Sequence, residues 1–297
     1  MSARCVLICA ALSLSFGTAT AWAQGNGNAF GRAKGARPPA QASSVTGSGA
    51  SGSLGVPQEL HISGAGIRNF GSWLDDAGML PVGRGFLSLG AGLWRMPGYQ
   101  EVDVPTIDTA VGVHRAVQVG ASVPYFYANE PGGPIARGFG TVYLSTKVRL
   151  RDAAAGGLGL SITPMLEVPP AAPVLGSRVS WAIPVNVELQ RPGWRTYAST
   201  GYFSRGAIFG SAALEKSLSN RLWMTGTISQ SYSTREDALS AALGLSRHRV
   251  DVGGGAGMSL SPAIAVFGSI GRTVSRQDAN SSTLTLIGGM SFSFAVR

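Results

Sequence analysis

The sequence predicts an all-β chain, a transmembrane antiparallel β-barrel of about twelve strands preceded by a signal peptide and a disordered linker. Three observations predict it. From Gly85 onward the chain falls into segments of roughly ten residues, each alternating apolar and polar side chains. Tight turns alternate along it with longer polar connections. Charged residues make up only 13% of the 297 positions while Gly numbers 42, and no long helical period interrupts the pattern, a balance unusual for a soluble enzyme.

The elements follow in order. Met1–Arg4 is short and basic, Cys5–Phe16 is an apolar core, and Ala21-Trp22-Ala23 before Gln24 is an A-x-A cleavage site. Residues 1–23 therefore read as a Sec-type signal peptide, since the apolar run is too short to span a membrane. Both cysteines, Cys5 and Cys9, lie inside it, so the expected mature chain has no disulfide framework and no thiolate metal site. Cys9 follows Ile8, where a lipoprotein signal needs a small residue. Residues 24–56 are rich in Gly, Ala, Ser and Pro; without large apolar side chains they cannot offset their ordering entropy, and they read as a disordered linker. Gly47–Gly52 is a formal G-x-G-x-x-G, but no strand precedes it and no helix follows, which excludes a dinucleotide fingerprint. Residues 57–84 are mixed, with Phe70, Trp73 and Leu74 suited to a periplasmic segment or plug.

The barrel is expected over 85–297, with strands at 85–95, 102–113, 117–127, 139–151, 157–168, 178–190, 194–204, 207–217, 221–233, 249–260, 264–274 and 283–295. Residues 178–190 show the alternation: Val179, Trp181, Ile183, Val185, Val187 and Leu189 against Arg178, Ser180, Ala182, Asn186, Glu188 and Gln190. Arg191-Pro192-Gly193, Ser217–Asn220 and Ser261–Ala263 are tight turns; Pro97–Glu101, Asn129–Gly138, Pro169–Ser177, Thr234–His248 and Ser275–Ser282 are mostly longer. The connection near Ser204–Gly206 belongs to the long set yet is short. Pro164 and Pro184 fall inside strands; lacking a donor, they are expected at bulges. Trp94, Trp181, Tyr125, Tyr127 and Tyr232 near outer strand ends, and Trp194 and Trp223 near inner ones, are expected to form aromatic girdles.

Composition bears on chemistry. The net charge is +9, but the cations lie singly, whereas nucleic-acid binders cluster them. His61, His114 and His248 are far apart in this scheme, and neither G-x-S-x-G nor H-E-x-x-H occurs, so no catalytic or metal residues are assigned. The candidate site is the ionisable set on the inner face: Asp108, Lys147, Arg149, Glu167, Arg178, Glu188, Arg195, Glu215 and Asp251. A charge facing lipid near the midplane costs about 2–4 kcal/mol for Arg or Lys. Several such errors would exceed a domain's whole stability of about 5–15 kcal/mol, so these groups belong in a lumen. There they either line a permeation path or pair into a polar plug. Lys147, Arg149 and Arg195 are expected to favour anionic groups, and Gly253, Gly255 and Gly257 to leave one inner row bare. Arg272 falls on the lipid side and belongs at the outer rim.

The run GFGTVYLSTKVRL at 138–150 resembles the G-x-G-D-x-x-L-x-x-K-x-R-L strand of outer-membrane transporters associated with phenol (meta-pathway) degradation, with Thr141 where that family carries Asp. VQVGASVP at 117–124, RHRVDVGG at 247–254 and FGSIGRT at 267–273 add to the resemblance. Separately, the aromatic-ending strand Leu284–Phe294 resembles the terminal signal that the barrel-assembly machinery recognises in outer-membrane proteins, with Ala295-Val296-Arg297 following the aromatic. The family resemblance implies a bacterial outer-membrane barrel that passively admits small solutes, aromatic or hydrophobic compounds among them. The expected partners are membrane lipid, lipopolysaccharide, the barrel-assembly machinery and the solute itself, with no cofactor and no nucleic acid. The alternative is a structural or surface-interaction barrel with a filled lumen. A lipid hydrolase with His248 at the rim and a soluble secreted β-protein are further readings.

Overall fold

The computed structural model describes residues 74–97, 99–129, 136–152, 157–168, 179–204, 206–234, 246–275, 278 and 281–296. The expected signal peptide and linker, along with His61, Phe70, Trp73 and Arg178, lie outside these residues. Fourteen strands form one sheet: β1 (Arg84–Met96), β2 (Tyr99–His114), β3 (Val117–Asn129), β4 (Ala136–Phe139), β5 (Val142–Arg151), β6 (Leu158–Ile162), β7 (Met165–Val168), β8 (Ser180–Arg191), β9 (Trp194–Phe203), β10 (Ala207–Ser217), β11 (Leu222–Ser233), β12 (His248–Ser261), β13 (Ile264–Thr273) and β14 (Leu284–Ala295). Neighbours pair antiparallel, and β1 pairs with both β2 and β14, which closes the ring. β4 and β5 share the partner β3, while β6 and β7 share β5 and β8. Each of these two pairs is one interrupted stave, so the wall has twelve, at the twelve positions that alternation predicts.

Two interruptions trace to proline. Tyr125 faces Phe139 whereas Ser122 faces Tyr143, so the register slips by one residue across Gly140–Thr141. The slip sits opposite Pro124, which donates nothing to the ladder; its carbonyl accepts the Gly140 N–H at 2.8 Å. Pro164 separates β6 from β7. Ile162 and Met165 nonetheless keep one register against Val185 and Ala182, and Pro184 sits inside an unbroken β8 opposite Gly201. The bulges expected at Pro164 and Pro184 are therefore absent from these ladders. A bulge occurs instead in β2 between Asp103 and Thr106, where Val104 and Pro105 add one residue.

Alternation sets two faces. Leu89, Ile107, Leu144, Leu166, Ile183, Leu214, Ile228, Ile270 and Leu286 stand exposed on the outside. Such a continuous aliphatic surface is costly in water and favourable in hydrocarbon, so the barrel is of the membrane-spanning kind. Tyr125 stacks edge-on with Tyr127 and Phe139, and Trp181 with Tyr202. Trp181, Trp194, Tyr127 and Tyr232 are exposed as expected of a girdle, but Trp94 and Trp223 are buried inside. Parity decides this: Trp94 shares the inward side of β1 with Phe86 and Ser88. Arg272 is exposed at the β13 end nearest the 274–283 connection.

Candidate functional site

The interior begins with the segment before β1. Val82 forms a parallel bridge with Gly112, and the Gly83 N–H donates to the Gly112 carbonyl at 2.9 Å. From there residues 74–80 run as a strap against the inner face. Leu80 packs with Phe86, Ala110, Trp223 and Ala265 from β1, β2, β11 and β13. At the other end Leu74 packs with Tyr197 and Ala213 from β9 and β10. The strap thus touches opposite walls of the bore. It has no helical or strand ladder of its own, so its backbone takes partners from side chains: Leu80 N–H donates to Gln118 Oε1 at 3.0 Å, and Asp75 N–H to Ser199 Oγ at 2.8 Å.

Charge fixes the strap's middle. Lys147 Nζ donates to Asp75 Oδ1 at 3.1 Å, to Asp76 Oδ1 at 3.3 Å and to the Gly78 carbonyl at 3.0 Å. An ammonium has three donors, and all three point at the strap. Arg195 Nη1 donates to Asp76 Oδ2 at 2.9 Å and Nη2 to Glu215 Oε2 at 2.9 Å, with Glu188 Oε1 3.9 Å away. The guanidinium also lies 4.8 Å from the Tyr197 ring centre. One carboxylate, Asp76, therefore bridges two cations through its two oxygens. Beside it Asn186 Nδ2 donates to Ser161 Oγ and Thr163 Oγ1 at 3.2 and 2.8 Å. Strands supply this set because residues of one parity on β5, β8, β9 and β10 converge on the same interior.

The structure brings together four of the sequence-predicted residues: Lys147, Glu188, Arg195 and Glu215. Asp108 is buried between Ser88 and Ser122, its register partners. Glu167 is fully buried and accepts a hydrogen bond from Ser180. Asp251 accepts two bonds from Arg249 Nε at 2.9 Å and one from Thr273 Oγ1 at 2.6 Å. Arg149 sits apart, partly exposed at the turn end, where Nη1 meets Asp152 at 3.0 Å. Arg178 lies outside the described residues.

Sequence reasoning missed Asp75, Asp76, Glu101, Asp103 and Arg249, all buried. Glu101 and Asp103 were hidden by two things. The connection before β2 is only Pro97 and Gly98, not 97–101. The β2 bulge then reverses parity, so Asp103 and Asp108 both face inward despite an odd spacing. Arg249 shares its parity with Asp251 and was legible. The row expected to be bare is covered at Gly257, where a Cβ would lie 2.1 Å from the Trp223 ring; on β1, a Cβ on Gly92 would likewise lie 2.0 Å from the Trp94 ring. These glycines let the indoles approach the wall closely. His114 stands at the turn end and His248 at the loop end, too far apart to share a proton or a metal.

Two solved structures share the architecture. The NanC porin matches with a TM-score of 0.52 at 8% identity, over 69% of this chain and 98% of its own. An outer-membrane channel from Pseudomonas putida F1 matches with a TM-score of 0.54 at 9% identity, over 73% of this chain and 97% of its own. No family model matches the chain, and no curated protein matches it in sequence. At such identities the likeness is one of fold: this chain is a closed twelve-stave β-barrel built like those of outer-membrane channels.

Proposed function

We propose that the protein is a passive channel of the bacterial outer membrane that admits small solutes down their gradient, aromatic or hydrophobic compounds among them. One observation carries the reading: a closed antiparallel ring turns aliphatic side chains outward and Ser, Thr, Asn and ionisable side chains inward. That division suits an apolar surround and a polar bore. Both structural relatives are described as a porin or a channel, which agrees with it. The aromatic preference rests on the resemblance of the 138–150 strand to transporters of phenol degradation. The lining residues in this reading are Asp108, Lys147, Arg149, Glu167, Arg178, Glu188, Arg195, Glu215 and Asp251, joined by Glu101, Asp103 and Arg249. The outer belt meets lipid and lipopolysaccharide, delivered by export through residues 1–23 and by the barrel-assembly machinery. Swelling of liposomes holding the folded protein tests this. Swelling in small sugars and phenolic solutes, faster than in protein-free vesicles, is expected; equal rates would remove the channel reading.

The filled-lumen reading has one observation in its favour: the strap spans the bore and saturates Lys147. A permanently seated strap would make the barrel a structural element. The same swelling experiment separates the two, since a filled barrel leaves the rates at background.

A further inference from the structure

The strap is held in a way that describes a ligand. Asp76 bridges Lys147 and Arg195 with its two oxygens, and Asp75 adds a second carboxylate to Lys147. Leu74, next to these acids, packs with Tyr197 and Ala213. An apolar body beside a carboxylate thus occupies a niche made of two cations, an aromatic ring and a small side chain. Among the described residues, Lys147 finds its hydrogen bonds on the strap and none on the wall. When the strap leaves, the Lys147 ammonium and the Arg195 edge that Asp76 held are turned to the bore together, where a solute carboxylate can take the oxygens' place.

The geometry points to a carboxylate-binding site at Lys147 and Arg195, occupied at rest by the protein's own Asp75 and Asp76. Small carboxylates with an apolar body pass by taking the strap's place. The strap is then an internal competitor that narrows the bore until such a solute replaces it. Glu215 already holds Arg195 Nη2, and Glu188 Oε1 lies 3.9 Å from the Nη1 that serves Asp76, so what is left for a solute is Lys147 and one edge of Arg195. This rests on the channel reading and specifies its solute.

The test records planar-bilayer currents of the full chain in chloride and benzoate salts. D75N/D76N keeps the strap's shape and removes its charge. It is expected to raise conductance several-fold over the wild type and to shift the reversal potential in mixed salts toward benzoate. Adding K147Q to that pair is expected to keep the raised conductance and abolish the shift. Because substituted chains can fail to fold, a second variant locks the strap: Asp75→Cys with Ser199→Cys, where Ser199 Oγ lies 2.8 Å from the Asp75 backbone nitrogen and the expected mature chain has no other cysteine. Oxidised, it is expected to carry little current; reductant is expected to restore it. Currents and reversal potentials that are the same in the wild type, in the charge variants and in both redox states of the lock would overturn this proposal while leaving the channel intact. Silence from every folded variant, the reduced lock included, would overturn the channel reading together with it.

Discussion

Two walls of the same bore are filled in different ways. The β5–β10 wall carries Lys147, Glu167, Glu188, Arg195 and Glu215, and meets the strap through ion pairs. The β11–β14 wall pairs its own Arg249 and Asp251 with each other, carries Thr225, Thr227, Ser259, Thr285 and Ser291 among glycines, and meets the strap through Leu80, clustered with Trp223 and Ala265. One wall holds the strap by charge, the other by apolar packing beside a ring set close over a glycine. A charge contact is released by exchanging one ion for another; a packed ring over glycine has no such substitute. The contrast assigns exchange to the β5–β10 side and rigidity to the β11–β14 side.

Breaking the charged side has the largest expected effect. Lys147→Ala leaves Asp75 and Asp76 buried beside one fewer cation and is expected to cost about 3–5 kcal/mol. It is read as a lower urea midpoint for loss of the heat-modifiable folded band. Next comes the surface common to both walls: Ile228→Arg, outward at the middle of β11, is expected to cost about 2–4 kcal/mol, seen as reduced folding yield into bilayers. On the packed side, Gly257→Ala drives a methyl into the Trp223 ring. An expected cost of about 1–3 kcal/mol should come with a changed indole fluorescence; an unchanged spectrum and midpoint would remove the distinction between the walls. The smallest effect belongs to Arg149→Gln. Its pair with Asp152 is 27% and 53% exposed, so a change of about 0–1 kcal/mol is expected by the same urea assay.

What could be read beforehand divides along the same physical line. Strand positions were legible because lipid on one side and a polar bore on the other impose a period of two on every stave. Lys147, Arg195 and Glu215 were legible for the same reason. Parity fails wherever one residue is added, and Val104–Pro105 cost the reading Glu101 and Asp103. Trp94 and Trp223 were misplaced because an indole suits either face; the glycines at 92 and 257, each opposed to a ring, were the available signal. Residues 57–84 were read as a periplasmic segment or plug, but the strap's path within them was illegible. The strap has no period, and its position is fixed by partners about seventy to one hundred and twenty residues away in sequence. Beyond the apolar residues that suggested a plug, its trace was the apolar-acidic run Leu74-Asp75-Asp76 standing just before the barrel.

Single-channel recording of the purified, folded protein in a planar bilayer addresses the central claim most directly. A passive channel predicts discrete, ohmic current steps that depend on insertion and scale with salt concentration. A bilayer that stays at background conductance, with the protein shown to be inserted and folded, would contradict it.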